Sequence, residues 1–422
     1  MSAARTLMLL VAVVLACTVS AAAQLPSVRH ANVVTETMGT TLSGTVDHLL
    51  GTLPEHDWIC YSVAPRPGYR ICGGTYVHGH CTAHLDEDND GFSTNNSDSE
   101  EAEMAPVRRL LVFVRGDKDG VARVRCFTDD CDIDANSRTI HWLGEANGAQ
   151  SVALMEKIAG TAADTKRDRE EVQERAVSAI AVHADPSALA ALDRLEGRET
   201  DKDLRSNIVF WIGQSNSDEA TAILRRVIDK DPSSDVQEEA VFSLSQNNVP
   251  GATDALIEIA RSQRDPELRN KAMFWLSQKG GAKVADVIRS AADNDPDSDV
   301  REQSIFALSQ LPDSEGVPML IAAARENRNS EVRSKALFWL SQKAGKKIAD
   351  VLKDATDDDP DADVREQAVF ALSQLPDDQG VPALIEVARK NKHSNVREKA
   401  IFWLGQTDDP RALSFFEEIL TH

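Results

Sequence analysis

From residue 167 onward the pattern of apolar and polar positions repeats at a fixed interval. Gln214, Gln246, Gln278, Gln310, Gln342, Gln374 and Gln406 recur at steps of 32 without drift, and a Phe stands four positions before each, from Phe210 to Phe402. Seven of the twelve phenylalanines sit on this one ladder, so the period belongs to the architecture. One interval earlier lies Ala181-Val182, preceded by Val172 to Ala176, a degenerate first unit. Eight units of 32 fill 167–422.

Each unit reads as a helical hairpin. Val300, Ser304, Ala307, Leu308 and Leu311 follow the spacing of one helical face. Asp299-Val300-Arg301-Glu302 places a capping carboxylate three residues before a Glu, a helix start. Pro312 and Gly316 are expected to break that helix, and Val317 to Ala324 to carry the second. Such a hairpin cannot bury its apolar face alone, so neighbours must stack.

A second period lies over the first. Trp211, Trp275, Trp339 and Trp403 recur at twice the interval, once in every second unit, with Ser243, Ala307 or Ala371 at the same place in the units between. Large beside small suits interdigitating neighbours. The turns alternate too: those at 231–235, 295–299 and 359–363 are acidic, those at 261–264, 325–328 and 389–393 basic. Opposite signs on consecutive turns discourage slipped stacking.

Val396 to Ala400 followed by Phe402-Trp403-Leu404-Gly405-Gln406, with Val381 to Ile385 opening a second helix, resembles the HEAT-type repeat of bacterial proteins, in the subtype also found in phycobilin lyases. The resemblance implies an α-solenoid that presents surface to a protein or peptide. It implies no lyase activity, because nothing in these repeats marks a bilin site.

The chain before the repeats has a different pattern. Residues 57–63, 107–115 and 121–127 alternate with period two or are continuously β-prone, and Gly116 to Gly120 joins the last two as a hairpin. A further hairpin is expected from Cys131 to Leu143, and helices over 41–53 and 149–158. The expected fold is therefore mainly α, an α-solenoid preceded by a small disulfide-containing α+β domain. Its layout is a signal peptide over 1–23, the α+β domain over 24–158, a linker over 159–166 and the repeats over 167–422.

Composition narrows the function. A formal charge of -22 repels a phosphate backbone, which argues against nucleic acid. Arg5, the short apolar run Leu7 to Ala16 and Ala21-Ala22-Ala23 form an export signal with cleavage expected before Gln24, so no membrane insertion follows cleavage. Lipoprotein processing at Cys17 is the alternative. Five cysteines then remain, Cys60, Cys72, Cys81, Cys126 and Cys131. An exported chain reads these as disulfides, with Cys72 and Cys81 the first candidate pair across a short Gly-containing segment and one thiol left over.

Asp86, Asp88 and Asp90 followed by Gly91 have the oxygen spacing that opens a calcium loop. Position 12 is Ser97 instead of Glu, so any site there is weak and a solvated acidic loop is the plainer reading. His78, His80, Cys81 and His84 could seed a copper or zinc site, or form an exposed loop whose Cys is oxidised. Arg115-Gly116-Asp117 reads as a hairpin turn. No catalytic motif or dinucleotide fingerprint occurs, so no enzyme activity and no cofactor beyond possible calcium are expected. The expected function is a non-enzymatic interaction scaffold of the bacterial cell envelope, with the second helices lining the concave, partner-binding face. The alternative is a metal-dependent sensor or enzyme in the first domain that the repeats present.

Overall fold

The structure, a computed structural model, describes residues 28–73, 75–77, 80–86, 92–94, 107–118, 120–161, 166–343 and 345–421. Contacts divide the chain into two compact units, Met1–Glu199 and Thr200–His422.

The first unit is built on a five-stranded sheet of order β2 (Asn32–Thr35), β11 (Thr139–Glu145), β3 (Trp58–Val63), β8 (Leu110–Asp117) and β9 (Gly120–Thr128). β11 runs parallel to β2 and β3, while β3, β8 and β9 are antiparallel. Every residue of β3 is buried, as a strand covered on both faces requires. Tyr61 and Cys126 look toward the helices α1 (Leu42–Leu50), α2 (Gly148–Ala159) and α3 (Lys166–Ala181), whereas Trp58, Cys60, Phe113, Phe127 and Trp142 enter a core on the other face. That core is closed by β1 (Val28–Arg29), β10 (Asp132–Asp134), β6 (His80–His84) and β5 (Thr75–Val77), which form a second sheet, and by the pair β4 (Ile71–Gly73) and β7 (Phe92–Thr94).

Both expected helices and the three expected strands of this domain are present, and Arg115-Gly116-Asp117 lies in the β8–β9 hairpin. The expected hairpin over 131–143 is not one. β10 pairs in parallel with β1 and β6, and β11 belongs to the other sheet. Asn136 and Ser137, at φ of 49° and 62°, turn the chain from one sheet to the other, a conformation that Asn tolerates best among non-glycine residues. The first helical hairpin, α3 and α4 (Ser187–Glu196), falls within this unit and packs on β9 and α2.

The second unit consists of seven helical hairpins. The first helices are α5 (Lys202–Gly213), α7 (Ser234–Gln246), α9 (Pro266–Lys279), α11 (Ser298–Gln310), α13 (Ser330–Ser341), α15 (Ala362–Ser373) and α17 (Ser394–Leu404). The second helices are α6 (Asp218–Lys230), α8 (Pro250–Ser262), α10 (Ala282–Asn294), α12 (Asp313–Glu326), α14 (Lys346–Asp358), α16 (Asp377–Lys390) and α18 (Pro410–Thr421). α3 and α4 form a further helical hairpin, which belongs to the first unit. Among the described residues no helix is long and apolar enough to cross a membrane.

Two expectations about the repeat are corrected in detail. The cap of α11 is Asp297, which accepts from the amides of Asp299 and Val300, so Asp299 lies inside the first turn. Asp201 and Asp361 do the same for α5 and α15, while Asp265 and Asn329 cap α9 and α13 through one amide each, at Glu267 and Glu331, each cap contributing about 1 kcal/mol. Gly316 does not end a helix but sits within α12, where a Cβ would lie 2.3 Å from the Leu308 carbonyl oxygen. Gly380 in α16 meets Leu372 in the same way, so glycine here lets the two helices of a hairpin approach closely.

The acidic turns are structural clamps. Arg205, Arg269 and Arg333, one in every second unit, each bind an aspartate 26 positions later with two nitrogens, at Asp231, Asp295 and Asp359. All six side chains are less than a tenth exposed. The same arginines donate to a carbonyl of the turn before them, at Thr200, Gln263 and Asn327, so one guanidinium joins two consecutive turns.

Candidate interaction surface

The Phe–Gln ladder sits at the carboxyl ends of the first helices. In five consecutive units a Ser hydroxyl donates back to the carbonyl of the ladder Phe, and the ladder Gln donates its side-chain NH2 to that Ser; Ser277 binds Phe274 at 2.6 Å, and Gln278 binds Ser277 at 3.4 Å. Orphan carbonyls of the last turn are thereby satisfied. The Gln side chains from Gln246 to Gln406 remain exposed.

Beside them runs an aromatic stripe. Trp275 meets Phe274 of its own helix at 4.9 Å and Phe242 of the preceding unit at 5.1 Å, measured between ring centroids. Trp339 and Trp403 repeat this with Phe306 and Phe338, and with Phe370 and Phe402. The rings therefore pack between units, which accounts for the doubled period of the tryptophans. The packing leaves them half-exposed, and Phe402 is 55% exposed. Lys271, Phe274, Trp275 and Gln278 are spaced three and four apart, hence on one helical face. Lys271 pairs with Glu238 at 3.0 Å, Lys335 with Glu302 at 2.8 Å and Lys399 with Glu366 at 3.3 Å, always from one first helix to the one before. Burial raises Glu239 above the usual carboxylate range, and the Ser243 hydroxyl partly offsets this.

Successive first helices contact one another more extensively than successive second helices do. In a stack of hairpins the tighter layer is the inner one, so the first helices, and not the second, form the concave side. The reason is visible in the residues: Ala, Ser and Gly alternate with Trp along the first helices, and the Cβ that Gly213 lacks would lie 2.6 Å from Ser243.

The candidate metal and disulfide residues all belong to the first unit. Asp86 gives one carboxylate oxygen to Arg115 at 2.9 Å and the other to Arg138 at 2.6 Å. Asp88 and Asp90 lie outside the described residues, as does His78. His84 is exposed on β6, with Arg125 donating to its carbonyl. Cys81 stands within disulfide reach of both Cys72, its expected partner, and Cys131. Cys60 and Cys126 are buried thiols; burial holds Cys60 well above its usual value and pushes Cys126 up to about 12, so neither is a ready nucleophile.

A Ser–His pair that sequence reading missed lies between β3, α2 and the end of α3. His183 Nδ1 donates to the Ala179 carbonyl at 2.5 Å, so in the neutral ring Nε2 accepts, and it meets Ser151 Oγ at 2.7 Å. Ser151 also shares a 2.9 Å hydrogen bond with the Tyr61 hydroxyl. Desolvation lowers His183 and raises Tyr61, which keeps both neutral. All three are buried and their polar atoms are paired, so they form a satisfied polar network.

A family model of HEAT repeats matches residues 163–245, 190–277, 253–341 and 349–422, more than half of the chain. No curated protein matches by sequence. Solved structures to which this chain is similar include human deoxyhypusine hydroxylase in complex with glycerol, 18% identical over 64% of this chain and 97% of that one, at a TM-score of 0.27. The complex of CpcE and CpcF of phycocyanin lyase from Nostoc is 15% identical over 62% and 94%, at 0.29. The Kap95p complex with RanGDP is 12% identical over 61% of this chain and 40% of that one, at 0.37. Similarity at this level assigns neither an activity nor a partner.

Proposed function

The chain belongs to the HEAT-repeat family, and we propose that it is a non-enzymatic scaffold that binds an extended protein or peptide segment along the first helices of its repeats. The observation that carries this reading is the unbroken stripe of half-exposed aromatic rings and exposed Gln amides on that face. Packed helices lie about 8–10 Å apart. An extended chain rising about 3.3 Å per residue therefore meets one rung every three residues. The rings offer apolar and π contact, and the amides offer hydrogen bonds that suit a peptide backbone.

The leader pattern around Arg5, Leu7 to Ala16 and Ala21 to Ala23 supports an exported protein of a bacterial cell envelope, periplasmic or secreted. The net charge of -22 favours a protein partner over nucleic acid. The direct test is selection of peptides on the full chain, followed by binding to a Phe306→Ala/Phe370→Ala variant. The reading expects a loss of at least about tenfold in affinity, about 1.4 kcal/mol. Undiminished binding would move the site elsewhere.

A second reading places activity in the α+β domain, with the repeats presenting it. It is favoured by the buried group of soft ligands Cys72, Cys81 and Cys131. Retained binding or turnover by a chain whose first-helix stripe is disabled would support it.

A further inference from the structure

Three cysteines meet where only one disulfide can form. Cys72 lies on β4, Cys81 on β6 and Cys131 in the turn between β9 and β10. Their Sγ atoms all lie within 4.8 Å of one another, and each residue is at most 6% exposed. Cys81 is 5.6 Å from Cys72 and 4.6 Å from Cys131 between Cα atoms, both within the span of a disulfide. No strand has to move for either bond. A sulfur forms one disulfide at a time, so whichever partner is not bonded holds its thiol against an existing disulfide. Cys60 and Cys126 do not resolve the odd count: Cys60 is outside the three-sulfur group, and Cys126 faces the helices on the other side of the sheet.

We propose that Cys72, Cys81 and Cys131 form a thiol–disulfide exchange site with Cys81 as the shared sulfur. The thiolate of Cys131 attacks Sγ of Cys81; the Cys81–Cys131 bond forms as the Cys72–Cys81 bond breaks, and Cys72 leaves as the thiolate. The proton lost by Cys131 is balanced by the one Cys72 takes up. One disulfide and one thiol are present before and after, so no oxidant or reductant is consumed.

The exchange changes what is tied to what. Cys72–Cys81 closes a sequence separation of 9, within one segment. Cys81–Cys131 closes a separation of 50, which encloses the acidic stretch from Asp86 to Glu103 and joins β6 to the chain beyond β9. The site therefore sets whether that acidic insertion is held inside a covalent loop.

The test is disulfide mapping of the full-length protein, purified without reductant, quenched in acid, alkylated and digested for mass spectrometry. Both linkages are expected, with populations within about tenfold of one another, a difference of about 30 mV between the two pairs. Alkylation should be divided between Cys131 and Cys72 accordingly. Cys131→Ser should hold only the Cys72–Cys81 bond and Cys72→Ser only the Cys81–Cys131 bond. A single linkage in the wild type, with the same cysteine always alkylated, would overturn the proposal. So would a folded serine variant whose two remaining cysteines stay reduced. Three reduced thiols with one equivalent of copper or zinc by elemental analysis would also overturn it, in favour of a metal site. If a serine variant does not fold, the wild-type map decides alone.

Discussion

Arg269→Met removes the guanidinium that joins two turns of the array. Arg269 donates to Asp295 at 2.9 and 2.8 Å and to the carbonyls of Gln263 and Arg264 at 2.8 and 3.2 Å. The Asp295 carboxylate is left buried, retaining only the amide of Asp297 at 2.9 Å among its described partners. Removing one partner of a buried pair costs about 3–5 kcal/mol. The retained amide bond puts this case at the lower end. In a repeat array the loss is carried by the affected unit and its neighbours. Hydrogen exchange read peptide by peptide should therefore show amides of α9 to α11 exchanging about a hundredfold faster, with units near α17 unchanged. Adding Asp295→Asn should restore part of the loss by removing the uncompensated charge. The control is Lys283→Ala, whose ion pair with Asp254 is about two-thirds exposed on both sides and contributes less than about 1 kcal/mol. If Arg269→Met costs no more than Lys283→Ala, the clamp is not what holds consecutive turns together.

Further outcomes follow from other sites. Gly316→Ala gains about 1 kcal/mol of helix propensity yet places a Cβ 2.3 Å from the Leu308 carbonyl oxygen. A net loss of about 1–3 kcal/mol in urea unfolding is expected, and a more stable variant would refute the close approach. Because burial lowers His183, the unfolded chain binds a proton there before the folded one does. That contribution to stability is full above the ordinary histidine value of about 6.5 and falls as pH drops below it, by at most about 1.4 kcal/mol per pH unit until the lowered value is reached. His183→Gln should flatten the slope just below that value, and an unchanged slope would contradict the assignment. Asp86→Asn should destabilise the first domain by about 1–3 kcal/mol through Arg115 and Arg138. Thermal unfolding should show the same loss with and without millimolar calcium; a loss only with calcium would make Asp86 a ligand.

The repeats were legible because one structural unit is written eight times. Phe, Gln and Trp recur for reasons the structure supplies: inter-unit ring packing, the Ser–Gln bonds at helix ends, and large residues set beside small ones. Asp295 was visible only as part of an acidic turn. Its partner Arg269, on the preceding first helix, was hidden because nothing local marks which arginine will be buried. The even spacing of Arg205, Arg269 and Arg333 was the available signal. Cys131 could not be placed, since its nearness to Cys81 depends on the parallel pairing of β6 and β10, a non-local contact. For the same reason the sheet exchange at Asn136 looked like a hairpin. The concave face was misassigned because periodicity gives the faces of a helix but not which layer packs more tightly.

Whether a partner lies along the first helices can be measured directly. A photoactivatable residue at Phe306, on the stripe, and one at Arg289, on α10, can be compared in the full chain with a fluorescent peptide obtained by selection on the wild type. Crosslinking from position 306, abolished by excess unlabelled peptide, with none from 289, is the predicted result. Equal crosslinking from both positions, or crosslinking from 289 alone, would contradict the assignment of this face as the binding surface.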